Sequence, residues 1–159
     1  MVNLEINNRT ILFPSTRYQG SKLSLIPVLY ATFKDLECEN VLDVFGGTGV
    51  VSLLFKALDK NISYNDNLKW NCLNAQALLQ NENIKLLEPH QDLLFRKSEL
   101  SGYQSFIANN FSGIYFTDEE NAEIDVVYQN MLDCTQETYC AAFYALSQSL
   151  ISKRPFGLF

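Results

Sequence analysis

Basic residues are in short supply. Lysine and arginine number 12 against 18 aspartates and glutamates, for a formal charge of −6. That balance excludes a free-standing, strongly basic nucleic-acid binder, but not a local basic patch or a DNA-binding part carried elsewhere. Cysteine is sparse too: Cys38, Cys72, Cys134 and Cys140, none in a C-x-x-C pair, with the single histidine, His90, far from all four in sequence. No zinc or other metal site is expected from such spacing. The thiols read as buried and free, in a reducing cytoplasm. No apolar run is long enough to span a bilayer, and Met1-Val2-Asn3-Leu4-Glu5 opens no signal peptide. A cytoplasmic chain with no membrane partner is therefore expected. Internal repeats and low-complexity tracts are missing. The four prolines, at positions 14, 27, 89 and 155, are never adjacent.

What is present suffices for a folded domain. The chain has 159 residues, 47% of them apolar and 19% charged, which fits one core and rules out wholesale disorder. Residues 1–21 are polar apart from Ile11-Leu12-Phe13. Leu25, Leu29 and Phe33, with Ile26 and Tyr30 beside them, predict a helix over about 22–36. Val41-Leu42-Asp43-Val44-Phe45 reads as a buried strand entering a tight turn at Gly46-Gly47-Thr48-Gly49. Val50, Leu53, Leu54 and Leu58 follow at helical spacing. Ile62 to Asp66 gives a second strand, and Leu68, Cys72, Ala75 and Leu79 another helix. Strand, glycine turn, helix, strand and helix begin a doubly wound α/β sheet.

Beyond residue 80 the pattern turns helical. Thr117-Asp118-Glu119-Glu120 fits a capping box, and Ile124, Val127, Tyr128 and Met131 continue that helix. Thr135 can start the next, with Tyr139, Phe143, Leu146 and Leu150 on one face and Pro155 ending it. His90, in a loop marked by Pro89, reads as structural or solvated, and Trp70 as core or partial core.

Three segments can carry chemistry. The turn Asp43-Val44-Phe45-Gly46-Gly47-Thr48-Gly49 lies at the carboxyl end of a strand, where glycines admit close approach and a helix N-terminus offers donors. A plain strand-to-helix turn is the competing explanation. Asp66 follows Gly49 by 17 residues, a position from which a carboxylate accepts ribose hydroxyls; a helix-capping acid is the other reading, and both roles can coexist. Arg17 to Lys22 offers Tyr18 as a flat face, Gly20 for close approach and Lys22 as a cation, and is by itself equally well a turn with a solvated lysine. Gly47-Thr48-Gly49-Val50-Val51-Ser52 approaches a dinucleotide fingerprint, with serine in the last place. Asp43 argues against a pyrophosphate and for a ligand bearing an ammonium group, such as S-adenosylmethionine.

Phe13 to Lys22, Val41 to Gly49 and Tyr64-Asn65-Asp66, in this order and spacing, resemble the N-terminal part of the D12-class (Dam-like) DNA adenine-N6 methyltransferases. The direct match covers about residues 13–80. The resemblance implies an incomplete Rossmann-like, S-adenosylmethionine-dependent α/β fold with a helical second half. Residues 1–80 would be the cofactor-binding segment and 81–159 the start of the target-recognition region, within one structural domain. It implies that Tyr18, Gly20 and Lys22 lie against the methionine end of the cofactor, with Asp43, Phe45, Gly46, Gly47 and Gly49. Asp66 would bind the ribose, with Asn67 near the adenine. The family's Asp/Asn-Pro-Pro-Tyr/Phe motif, which holds the target amine and stacks on the extruded base, has no counterpart, since no Pro-Pro occurs. No catalytic residue is therefore assigned, and the chain is expected to be inactive alone. Double-stranded DNA is the expected partner of the complete enzyme, with a second chain bearing the missing motif as a further partner. A non-catalytic module of a split enzyme is the alternative, and a dinucleotide-dependent oxidoreductase a third reading. Without later strands, apolar surface is expected to be exposed near Val41–Phe45 and on the last helix.

Overall fold

The computed structural model describes residues 2–14, 20–80, 86, 88–96 and 105–153. Its contacts divide into two compact units, Met1–Glu82 and Asn83–Phe159.

The first unit opens on a hairpin that the polar composition of residues 1–21 concealed. Strands β1 (Val2–Ile6) and β2 (Arg9–Phe13) pair antiparallel, Ile6 opposite Arg9. Asn7 and Asn8 make the two-residue turn with φ of 51° and 60°, a left-handed pair that asparagine tolerates and that matches the strand twist. Asp59 fastens this hairpin from a distance: its carboxylate accepts from Asn7 Nδ2 at 2.8 Å and Arg9 Nη2 at 2.6 Å. Ile6 and Phe13 point inward and join Ile26, Val50, Leu54 and Ala57 in the core.

The helix expected over 22–36 is shorter. A 3₁₀ turn, Leu23–Leu25, leads into α1 (Ile26–Phe33), whose Pro27 sits in the first turn where its missing N–H costs nothing. Strand β3 (Asn40–Asp43), helix α2 (Val50–Ala57) and strand β4 (Asn61–Tyr64) follow, then α3 (Lys69–Gln80). β3 and β4 pair in parallel, Asn40 with Asn61 through Asp43 with Tyr64. Among the described residues this sheet has two strands. α2 packs on β2, β3, β4, α1 and α3, so its apolar positions form the centre of the unit. α3 forms where its spacing indicated, with asparagines sharing its inward face. Asn71, Asn74 and Ala75 are buried, while Leu68 just before the helix is exposed.

Four helices of the second unit lie among the described residues: α4 (Glu88–Phe95), α5 (Phe106–Phe111), α6 (Asp118–Met131) and α7 (Gln136–Lys153). His90 therefore lies on a helix and not in a loop, because Pro89 starts α4 rather than interrupting it. The capping box forms as read: Glu120 N–H donates to Thr117 Oγ1, and Thr117 N–H to Glu120 Oε2. Leu94, Val127, Met131 and Ala142 form the core, with Tyr139, Phe143 and Leu146 against it. Asp125, buried on α6, accepts from the N–H groups of Ile107 and Ala108 and so caps α5 from a neighbouring helix.

Exposed apolar surface does appear beside β3: Leu42 is 66% and Phe45 85% exposed. On α7 the expectation fails. Its large apolar residues are half-buried, because α7 packs on α6 within its own unit. The thiols differ from expectation as well. All four are free, but only Cys140 is buried. No helix among the described residues is long and apolar enough to cross a membrane.

Candidate functional site

Parallel pairing of β3 and β4 brings two strand ends side by side, and the segments leaving them are tied together. Asn65 N–H donates to the Asp43 carbonyl at 2.9 Å, and Gly46 N–H to the Asn65 carbonyl at 3.0 Å. Asn65 Nδ2 donates to the Val44 carbonyl at 2.8 Å. The glycine turn is thus laced to residues 64–66 over its whole first half.

Each glycine of the turn has its own requirement. A Cβ on Gly46 would fall 2.1 Å from Cε2 of Tyr64, so the aromatic ring occupies the space a side chain would take. Gly47 and Gly49 have φ of 53° and 72°, and Gly49 is the N-cap residue of α2. Gly49 N–H closes the turn on the Gly46 carbonyl at 2.9 Å.

Two carboxylates flank this turn. Asp43 Oδ2 accepts from Ser52 Oγ at 2.6 Å, and its other oxygen takes no hydrogen bond from a described residue. Ser52, fully buried on α2, is the residue that breaks the dinucleotide fingerprint; the structure gives it the task of orienting Asp43. Asp66 Oδ2 accepts the Gly47 N–H at 2.8 Å, and Oδ1 accepts from Leu68 N–H at 2.8 Å and Asn71 Nδ2 at 3.0 Å. These donors, Leu68 first, hold its carboxyl below the usual carboxylate range. Of the roughly four acceptor positions a carboxylate offers, three are filled. Asp66 therefore acts as the helix-start acid that the sequence allowed, and spans to the glycine turn as well.

The upstream segment reaches the same turn. Ser21 Oγ lies 3.4 Å from Thr48 Oγ1. Gly20, with φ of 84°, presents its carbonyl to Lys22 Nζ at 3.1 Å, and Lys22 itself is exposed. Phe45 and Asn67 are exposed. Tyr18 lies outside the described residues. Of the expected site residues, Asp43, Gly46, Gly47, Gly49 and Asp66 are joined by a chain of hydrogen bonds. Gly20 and Lys22 belong to the segment beside Thr48, whereas Phe45 and Asn67 are linked to the group by sequence alone. Ser52, Tyr64 and Asn71 bear on these residues and were not read as site residues. The serine left a trace in the sequence as a departure from a known spacing, and Tyr64 as part of the Tyr64-Asn65-Asp66 match, with no role attached.

A cleft of about 600 Å³ elsewhere in this unit runs along β4 and is lined by Lys56, Lys60, Ile62, Gln76 and Leu79 among others. Apart from Tyr64, it shares no residue with the cluster described above. Size alone is a poor guide here, because converging polar groups and not volume orient a ligand.

A profile of the D12 class N6 adenine-specific DNA methyltransferases matches residues 18–153. The chain belongs to this family. It is also 28% identical over 149 residues to the Type II methyltransferase M2.HphI of Haemophilus parahaemolyticus, covering 92% of the present chain and 43% of that relative. The chain thus spans less than half the length of the curated relative it matches. No solved structure matches it.

Proposed function

We propose that this chain supplies the S-adenosylmethionine-binding part of a DNA adenine-N6 methyltransferase, in a Rossmann-like arrangement built on β3, α2 and β4. One observation carries the reading. The parallel strand ends gather Asp43, the glycine turn and Asp66 into one hydrogen-bonded cluster at the edge where open α/β sheets take their ligands. The donor and acceptor set fits the cofactor. Asp43, with an oxygen not engaged by described residues, suits an ammonium group, and Lys22 a carboxylate. Asp66 retains about one acceptor position for a ribose hydroxyl while Gly47 stays bound to it. Gly46, Gly47 and Gly49 keep the turn free of side chains. Tyr18, Gly20 and Phe45 complete the methionine end of the site, and Asn67 lies toward the adenine. When bound, S-adenosylmethionine supplies an activated methyl group.

The chain contains no Pro-Pro pair. The groups that would accept hydrogen bonds from the target amine of adenine in double-stranded DNA therefore come from polypeptide outside these residues, and the chain alone transfers no methyl group. A second reading, a module that binds cofactor or a companion chain without chemistry, is favoured by the exposed Leu42 and Phe45. Methyl transfer on mixing with a chain that bears the Asp/Asn-Pro-Pro-Tyr motif separates the two.

The deciding experiment is calorimetric titration of the purified chain with S-adenosylmethionine, using Asp43→Ala and Asp66→Asn as controls. The expected result is saturable binding by the wild type and at least tenfold weaker binding by either folded variant, as for loss of a charge-assisted contact worth about 1.5–3 kcal/mol. A folded wild type that takes up no cofactor, or binds a nicotinamide dinucleotide more tightly, rejects the proposal.

A further inference from the structure

We infer that Tyr64 is a positioning residue for the glycine turn and acts through Gly47, an inference that rests on the cofactor reading above. Tyr64 is the last residue of β4, and its ring lies where a side chain at Gly46 would stand. Its hydroxyl donates to the Gly47 carbonyl at 2.6 Å. Two residues further on, Asp66 accepts the Gly47 N–H at 2.8 Å. Both backbone polar groups of Gly47 are therefore held by side chains from one strand end, one on either side of a Cα at φ 53°.

The arrangement bears on binding because glycine is the residue with most freedom to lose. Unheld, Gly47 would exchange between conformations on both sides of φ zero, and a ligand would bear the ordering cost. Asp66 alone does not remove that freedom. It fixes the N–H side only, and it is also the group whose remaining acceptor position a ribose hydroxyl would take. Tyr64 holds the carbonyl side with a group that no ligand needs to touch. It keeps the turn in shape as Asp66 takes on that further partner.

Tyr64→Phe tests this, since it keeps the ring over Gly46 and removes only the donor. The expected result is S-adenosylmethionine affinity about three- to tenfold lower, the usual effect of one lost hydrogen bond. Amide exchange at Gly47 is expected to accelerate, while exchange at Leu54 in the core is unchanged. A merely structural role would accelerate both. Equal affinity with unaltered Gly47 exchange overturns the inference. An independent check needs no variant: in the folded wild type the Tyr64 hydroxyl proton is expected as a slowly exchanging resonance with a cross-peak to Gly47, and its absence also overturns it. A folded wild type that binds no S-adenosylmethionine overturns the cofactor reading instead, and leaves the Tyr64–Gly47 contact to be judged by exchange alone.

Discussion

At Asp66 one carboxylate serves three donors from two segments of chain. Its lowered pKa means that the folded state favours the ionised form, so its stabilising effect is complete above the unfolded value of about 3.9. The effect is lost as pH falls through the lower folded value. Urea melts of wild type and Asp66→Asn are expected to differ most near neutrality and to converge in acid; a gap that does not change with pH would contradict this. Ser52→Ala removes the buried hydroxyl that orients Asp43 and is expected to cost about 1.5–3 kcal/mol in the same melts, as for a hydrogen bond to a charged group. Asp43, Asp66 and the glycines were legible in the sequence because charge, missing side chains and spacing along a strand–turn–helix unit are properties of local sequence. The roles of Ser52 and Tyr64 were not, since a hydroxyl acquires its role only when a distant partner arrives, and nothing in residues 43 and 52 alone announces their contact.

Elements were legible to the extent that their signals were local. The capping box of α6 followed from Thr117 and Glu120, and the parallel β3–β4 pair from two short apolar runs either side of a glycine turn. Thr117→Ala is expected to lower stability by about 1 kcal/mol, read as a shifted urea midpoint with unchanged slope. The β1–β2 hairpin escaped notice. Its turn is Asn-Asn rather than a pair containing glycine, and only two of its side chains, Ile6 and Phe13, are fully buried. Those two side chains dock it on the core, and Asp59, about fifty residues away, ties its turn through Asn7 and Arg9. α3 was legible in part. Its inward face carries Ala75, as the spacing indicated, but also Asn71, turned to Asp66, and Asn74, donating to the Trp70 carbonyl at 2.9 Å, which hydrophobic periodicity does not register.

For the molecule as a whole, the parallel sheet has two strands among the described residues and carries exposed apolar side chains beside it. Parallel strands are ordinarily buried on both faces, and a sheet this small is marginal without further layers. Leu42 and Phe45 stand exposed beside the turn that gathers Asp43 and Asp66. The folded chain is therefore expected to enhance the fluorescence of an apolar-surface dye, and Leu42→Ser with Phe45→Ser to lower that signal measurably. Dye binding unaffected by the double change would place the exposed surface elsewhere.

The glycine at 46 beneath the ring of Tyr64 has a consequence for heredity. A methyl group there meets the ring at 2.1 Å, so Gly46→Ala alone is expected to be costly, by about 1–3 kcal/mol for an overpacked site. Once position 64 holds a smaller side chain the same methyl group is tolerated. The two positions are therefore expected to behave as one locus, with the double change milder than the sum of its parts. Lineages that lose the tyrosine would be free to lose the glycine, and in the reverse order the path would be closed.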